Sequence, residues 1–128
     1  MSYLPSPLNL EEVFGVKKPI IGMVHLLPIP GSGLYDGNLE PVVERAIQDA
    51  KALEEGGVDG IEVENFGDMT YFPGKVGPET VAAMTHIATV LSKEVSIPIG
   101  VCVLTDPYAA FAIAHAVGAR FIRATVYT

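Results

Sequence analysis

Basic residues are scarce in this chain, and cysteine is scarcer. Eight lysines and arginines stand against fifteen aspartates and glutamates in 128 residues, a formal net charge of −7. An acidic chain without a basic cluster repels phosphate backbones, which argues against nucleic-acid binding. The same scarcity argues against a polybasic membrane patch. With Cys102 as the one cysteine, no intrachain disulfide is possible and nothing points to an oxidising compartment. No apolar run approaches the ~20 residues of a membrane helix. The first residues, MSYLPSPLNLEEVFG, lack a basic stretch followed by an apolar one, so no signal peptide is expected and the expected compartment is the cytoplasm. No GxGxxG follows the first apolar run, which counts against a dinucleotide fold.

What the chain has in quantity is apolar sequence, 49% of its residues. That content excludes a disordered chain. It suits a parallel sheet buried on both faces, whose strands read as continuous apolar runs. Four such runs are expected as strands, near 19–26, 58–65, 97–104 and 120–126. Between them lie helices over Leu39–Glu55, from Pro78 to about Glu94, and from Pro107 to Gly118. Asn38 is the expected cap of the first of these, and Gly56-Gly57 its end. Residues 1–18 read as an N-terminal extension with a short helix capped by Asn9 and anchored by Phe14. Residues 19–128 read as β-α-β-α-β-α-β, with parallel strands. Either a (β/α)8 barrel or a doubly wound sheet fits that grammar. The length is about half of the ~250 residues a (β/α)8 barrel needs, so the expectation is the N-terminal half of one.

Barrel chemistry sits at the C-terminal ends of the strands. Side chains alternate along a strand. With Ile61 and Val63 on the helices, Glu62 and Glu64 point inward; with Ile122 and Ala124 outward, so does Arg123. Val101 and Val103 take the helix side, leaving Gly100, Cys102 and Leu104 inside. Buried glutamates are costly without a partner, and Arg123 is the natural one for either. Glu62, lower in its strand, reads as half of a structural ion pair with Arg123. Glu64, at the mouth, reads equally as structural partner or as catalytic base. His25 ends the first strand, where it can serve as acid. Asn65, Asp68 and Arg123 are the candidate substrate-binding residues. His25, Glu64 and Asp68 could in principle surround a metal, but their spacing is not diagnostic and none is expected. Gly31 and Gly33 in the PGSG stretch, and Asp36-Gly37, read as turns. Cys102, flanked by valines, reads as packing; His86 and His115 lie within helices.

Five segments resemble the BtpA family: KPIIGMVHLLPIPGS (Lys18–Ser32), EEGGVDGIEVENFGD (Glu54–Asp68), PETVAAMT (Pro78–Thr85), VSIPIGVCVL (Val95–Leu104) and AIAHAVGARFIR (Ala112–Arg123). The resemblance implies a (β/α)8 barrel about twice this length. It also implies a role as an assembly or stability factor, like the cyanobacterial members that help photosystem I accumulate. Relatives in non-photosynthetic bacteria and archaea imply an older, enzymatic activity. Where the family pattern has asparagine, this chain has Cys102, and Thr125 and Tyr127 also depart from it. His25, Glu64, Asn65, Asp68 and Arg123 keep it. Three functions follow as expectations: the assembly factor, half of a barrel enzyme using acid–base chemistry on a small polar metabolite, or a truncated inactive fragment. No cofactor is assigned. The expected partners are a small-molecule ligand and further copies of the chain, joined through exposed sheet edges.

Overall fold

A computed structural model describes residues 8–68 and 74–125. Its strands are β1 (Ile21–His25), β2 (Gly60–Glu64), β3 (Ile99–Cys102) and β4 (Phe121–Ile122). They form one parallel sheet in the order β1-β2-β3-β4. Sequential order decides between the two candidate folds. A doubly wound sheet places its first strand centrally, whereas consecutive β/α units of a barrel lie side by side. The fold is α/β and has the architecture of the first four strands of a (β/α)8 barrel.

Four helices complete the described residues: α1 (Leu10–Phe14), α2 (Glu40–Glu55), α3 (Pro78–Glu94) and α4 (Pro107–Val117). α2, α3 and α4 pack side by side along one face of the sheet. α2 buries Val42, Ala46 and Ala50, four residues apart, which aligns them on one stripe. α3 does the same with Ala83, Met84, Ile87, Ala88 and Leu91. Val24, Ile61, Val63 and Val101 meet these helices from the sheet, all fully buried.

The helix ends follow their sequence signals closely. Asn9 caps α1 through a reciprocal pair: its Oδ1 accepts from Glu12 N–H and a Glu12 carboxylate oxygen accepts from Asn9 N–H, both at 2.9 Å. Asp106 Oδ1 accepts from Ala109 N–H at 3.0 Å and so caps α4, ahead of Pro107. The expected cap of α2 falls one residue off. Leu39 holds the cap position, while Asn38 Oδ1 reaches past it to the N–H of Glu40 at 3.1 Å. Pro41 in the first turn of α2 already removes one N–H that a cap would otherwise satisfy.

Every strand is shorter than the apolar run that carries it. β4 differs most, with two residues in place of 120–126. Among the described strands it lies at the edge, beside β3, and two backbone bonds flank it: Arg120 N–H to Ile99 O at 2.8 Å and Arg123 N–H to Val101 O at 3.1 Å. Residues 126–128 lie outside the described set.

The floor of the inner face is aromatic. Phe14 meets Phe121 edge-on, with ring centroids 5.2 Å apart. Gly60 and Gly100 make room for these rings, because a Cβ on Gly60 would collide with Phe14 and one on Gly100 with Phe121. The expected anchoring by Phe14 is thus a concrete contact beneath the strands.

Candidate active site at the strand mouths

Sheet register puts the candidate residues in rows. His25 pairs with Glu64, and Glu64 with Cys102. The pairing of Val101 with Ile122 carries the same row on to Arg123. One layer below, Met23 pairs with Glu62, Glu62 with Gly100, and Gly100 with Phe121. Both glutamates therefore point inward, as alternation requires. They are 4% and 2% exposed.

The upper row is a connected cluster. Glu64 Oε2 lies 3.3 Å from His25 Nε2 and 3.4 Å from an Arg123 terminal nitrogen. The same nitrogen lies 3.4 Å from Glu62 Oε1. Glu64 Oε1 accepts a long contact of 3.8 Å from the Cys102 thiol. Arg123 and His25 are about half exposed along their side chains, so the buried carboxylates sit beneath two solvent-reaching cations or potential cations. Phe66 stacks on His25 with centroids 4.3 Å apart and planes 14° from parallel.

Burial pushes the Glu62 carboxyl above the ordinary glutamate range. The Arg123 guanidinium opposes that push and the Glu64 carboxylate adds to it. Glu64 and Glu62 in turn hold the Arg123 guanidinium more firmly protonated than usual. Burial, reinforced by both carboxylates, drives the Cys102 thiol up to about 12. Cys102 is therefore a neutral thiol at physiological pH, with no thiolate available as nucleophile.

Asn65 and Asp68 are also buried, but they serve the loops. Asn65 Oδ1 accepts from Leu104 N–H at 2.8 Å, and Asn65 Nδ2 donates to Asp68 at 3.4 Å. Asp68 Oδ1 accepts from Ile29 N–H at 3.1 Å. Two side chains thus tie together the loops that follow β1, β2 and β3. Burial raises the Asp68 carboxyl, against the hydrogen bonds from Ile29, Asn65 and Ser32. Asp68 stands outside the His25–Glu64–Arg123 contacts. Of the three residues expected to hold substrate, Asn65 and Asp68 bond to the loops and to each other, while Arg123 stays with the glutamates.

A possible cation cluster also differs from the one considered from sequence. Glu62, Glu64 and Cys102 bring ligand atoms within 4.8 Å of one another, whereas His25, Glu64 and Asp68 form no such group among the described residues. Arg123 already lies between the two carboxylates, and the Cys102 proton would have to leave first.

Strand phase did not reveal Phe66. It follows the end of β2, where alternation no longer applies, and only its aromatic character beside a mouth residue marks it. Cys102 was legible as inward-facing, but its contact with Glu64 follows from register. His86 and His115 are exposed on their helices, away from the mouth.

The BtpA family profile matches residues 16–128. An uncharacterized protein of Pyrococcus furiosus is 52% identical over 113 residues, 88% of this chain and 43% of that protein. The photosystem I biogenesis protein BtpA of Synechocystis is 49% identical over 122 residues, 94% of this chain and 42% of the relative. An uncharacterized protein of Methanocaldococcus jannaschii is 47% identical over 111 residues, 86% of this chain and 42% of its own. The chain spans less than half the length of these relatives.

Proposed function

The chain belongs to the BtpA family, and on that premise we propose that its strand mouth forms part of an acid–base site for a small polar molecule. The observation that supports this reading is the pair of inward glutamates, Glu62 and Glu64, buried beneath half-exposed His25 and Arg123. A barrel interior is normally filled by branched apolar side chains. Two acids there are costly, and a site that needs a proton carrier gives a reason to keep them. In this reading Glu64 is the base and His25 the acid, joined across 3.3 Å. Arg123 adjusts both carboxylates and faces the substrate. Glu62 is its structural partner below. Asn65 and Asp68 hold the surrounding loops and so orient the substrate indirectly.

Glu64→Gln tests this. A base that is lost should take ligand binding or turnover with it while the variant still folds. Loss of a purely structural partner should instead cost stability and leave binding unchanged. The cost should be less than the roughly 3–5 kcal/mol of a fully buried pair, because Arg123 is half exposed and keeps Glu62. A thermal melt run beside a small-molecule binding screen distinguishes the two. A stability loss with unchanged binding removes Glu64 from the site.

A second reading takes up the Synechocystis relative's name: a supporting role in photosystem I biogenesis. Its support is the 49% identity across nearly the whole of this chain. Complementation of a cyanobacterial strain lacking its own BtpA, scored by photosystem I content, tests it. In either reading β1 and β4, each with one neighbour among the described strands, favour pairing with a second copy in the cytoplasm. Light scattering at micromolar concentration should return more than a monomer mass, and a monomer that unfolds cooperatively would refute the pairing.

A further inference from the structure

The mouth also carries a charge preference. We infer that its ligand is a flat organic cation, such as an aryl amidinium or a protonated amino-heterocycle, stacked on the His25–Phe66 wall with its N–H edge on Glu64. The inference rests on reading the mouth as a ligand site and adds the class of ligand.

Charge is the first argument. Glu62 and Glu64 bring two carboxylates, and Arg123 brings one guanidinium. The two carboxylates outnumber the one guanidinium between them, in a chain whose formal net charge is −7. An anionic ligand would meet like charge in a region of low dielectric, where repulsion is least screened. A cation would complete the balance.

The second argument is the looseness of the existing pairs. Charge-assisted N–H···O bonds close to about 2.7–2.9 Å. Both Arg123 contacts measure 3.4 Å, and the side chain is half exposed. A ligand nitrogen approaching more closely would take over part of that role without stripping the carboxylates of a partner.

The third argument is shape. Phe66 is 56% exposed and lies nearly parallel to the His25 ring. His25 Nε2 lies 3.3 Å from Glu64. The His25 ring, backed by Phe66, therefore adjoins the acid directly, and a cation over an aromatic face is attracted by the ring's quadrupole. A planar cation uses both groups together, its face on the wall and its edge on the carboxylate.

Benzamidine and benzoate test this, since they share a shape and carry opposite charge. Binding is followed on the whole chain at matched ionic strength, using the ring resonances of Phe66 and His25. Benzamidine should bind saturably and shift both rings, while benzoate at equal concentration leaves them in place. Phe66→Ala should weaken benzamidine about two- to fivefold, the size of an exposed cation–π contact. Glu64→Gln should weaken it about tenfold or more, as expected for a lost charged hydrogen bond. Phe66→Ala removes an exposed ring and keeps the test valid should Glu64→Gln fold poorly. Silence from both probes, or benzamidine binding that both substitutions leave unchanged, overturns the inference. Benzoate binding that Glu64→Gln abolishes overturns the charge assignment alone and leaves the mouth as a ligand site.

Discussion

Within seven residues the chain buries two kinds of polar pair, and they are held differently. Glu62 and Glu64 are held by other side chains, two of which reach solvent. Asn65 and Asp68 are held by backbone N–H groups of Leu104 and Ile29 and by each other. The difference teaches what each pair is for. A side chain bonded to fixed backbone is committed to the scaffold, because moving it strands a backbone N–H that is buried at Ile29 and part-buried at Leu104. One bonded to half-exposed side chains keeps partners that can swing away and admit a ligand.

Removing Asn65 should break this contrast hardest. Asn65→Ala leaves the Leu104 N–H without its acceptor and unties the loop after β3 from the loop after β2. A fully buried donor left unsatisfied costs about 1–3 kcal/mol. Leu104 is part-buried, so its N–H should cost towards the lower end, and the packing lost around buried Asn65 adds to it. A lowered urea midpoint, with the loops after β2 and β3 exchanging amide hydrogen faster, is the expected result. Unchanged exchange would mean that the loops hold without Asn65.

Glu64→Gln should cost less stability than Asn65→Ala. Arg123 keeps Glu62 as a partner, and its exposed half keeps water. The two substitutions should separate cleanly, Asn65→Ala lowering stability and Glu64→Gln lowering ligand binding. If Glu64→Gln melts as low as Asn65→Ala, the two pairs are of one kind.

The finest test uses pH. Burial places the Glu62 carboxyl above its usual range, so the folded state binds this proton more tightly than the unfolded chain does. The sign follows from linkage: the contribution is fully present below the unfolded value and is lost as pH rises through the folded one. Glu62→Gln removes that loss. It should therefore melt slightly higher than the parent near pH 8, and its advantage should vanish as pH falls through the raised titration. An advantage that grows on acidification would show the Arg123 attraction outweighing burial.

Much of this was legible in the sequence because strands impose a two-residue period. Ile61 and Val63 fixed the phase of β2, and that phase turned Glu62 and Glu64 inward. Arg123 followed from Ile122 in the same way. Alternation of strand and helix alone did not give the strand order, since it serves barrels and doubly wound sheets alike. Chain length and the family resemblance pointed to a barrel, and the sequential order β1-β2-β3-β4 agrees. The work of Asn65 and Asp68 was not legible. Their partners, Leu104 and Ile29, lie 39 residues away in each case and offer backbone atoms, which carry no signature of residue type. Phe66 was missed for a related reason, because loops have no phase to read.

The row His25, Glu64, Cys102 and Arg123 exists only by register, and this divides the chain into stretches of unequal tolerance to insertion. One residue added within Gly60–Glu64 would move every later side chain of that strand to the opposite face, sending Glu64 into the helices. The same residue added to the turns around Gly37 or Gly57 would alter nothing in the row. A length variant of this chain should therefore keep its mouth when the change falls in these connections and lose it when the change falls in a strand, whatever residue is added.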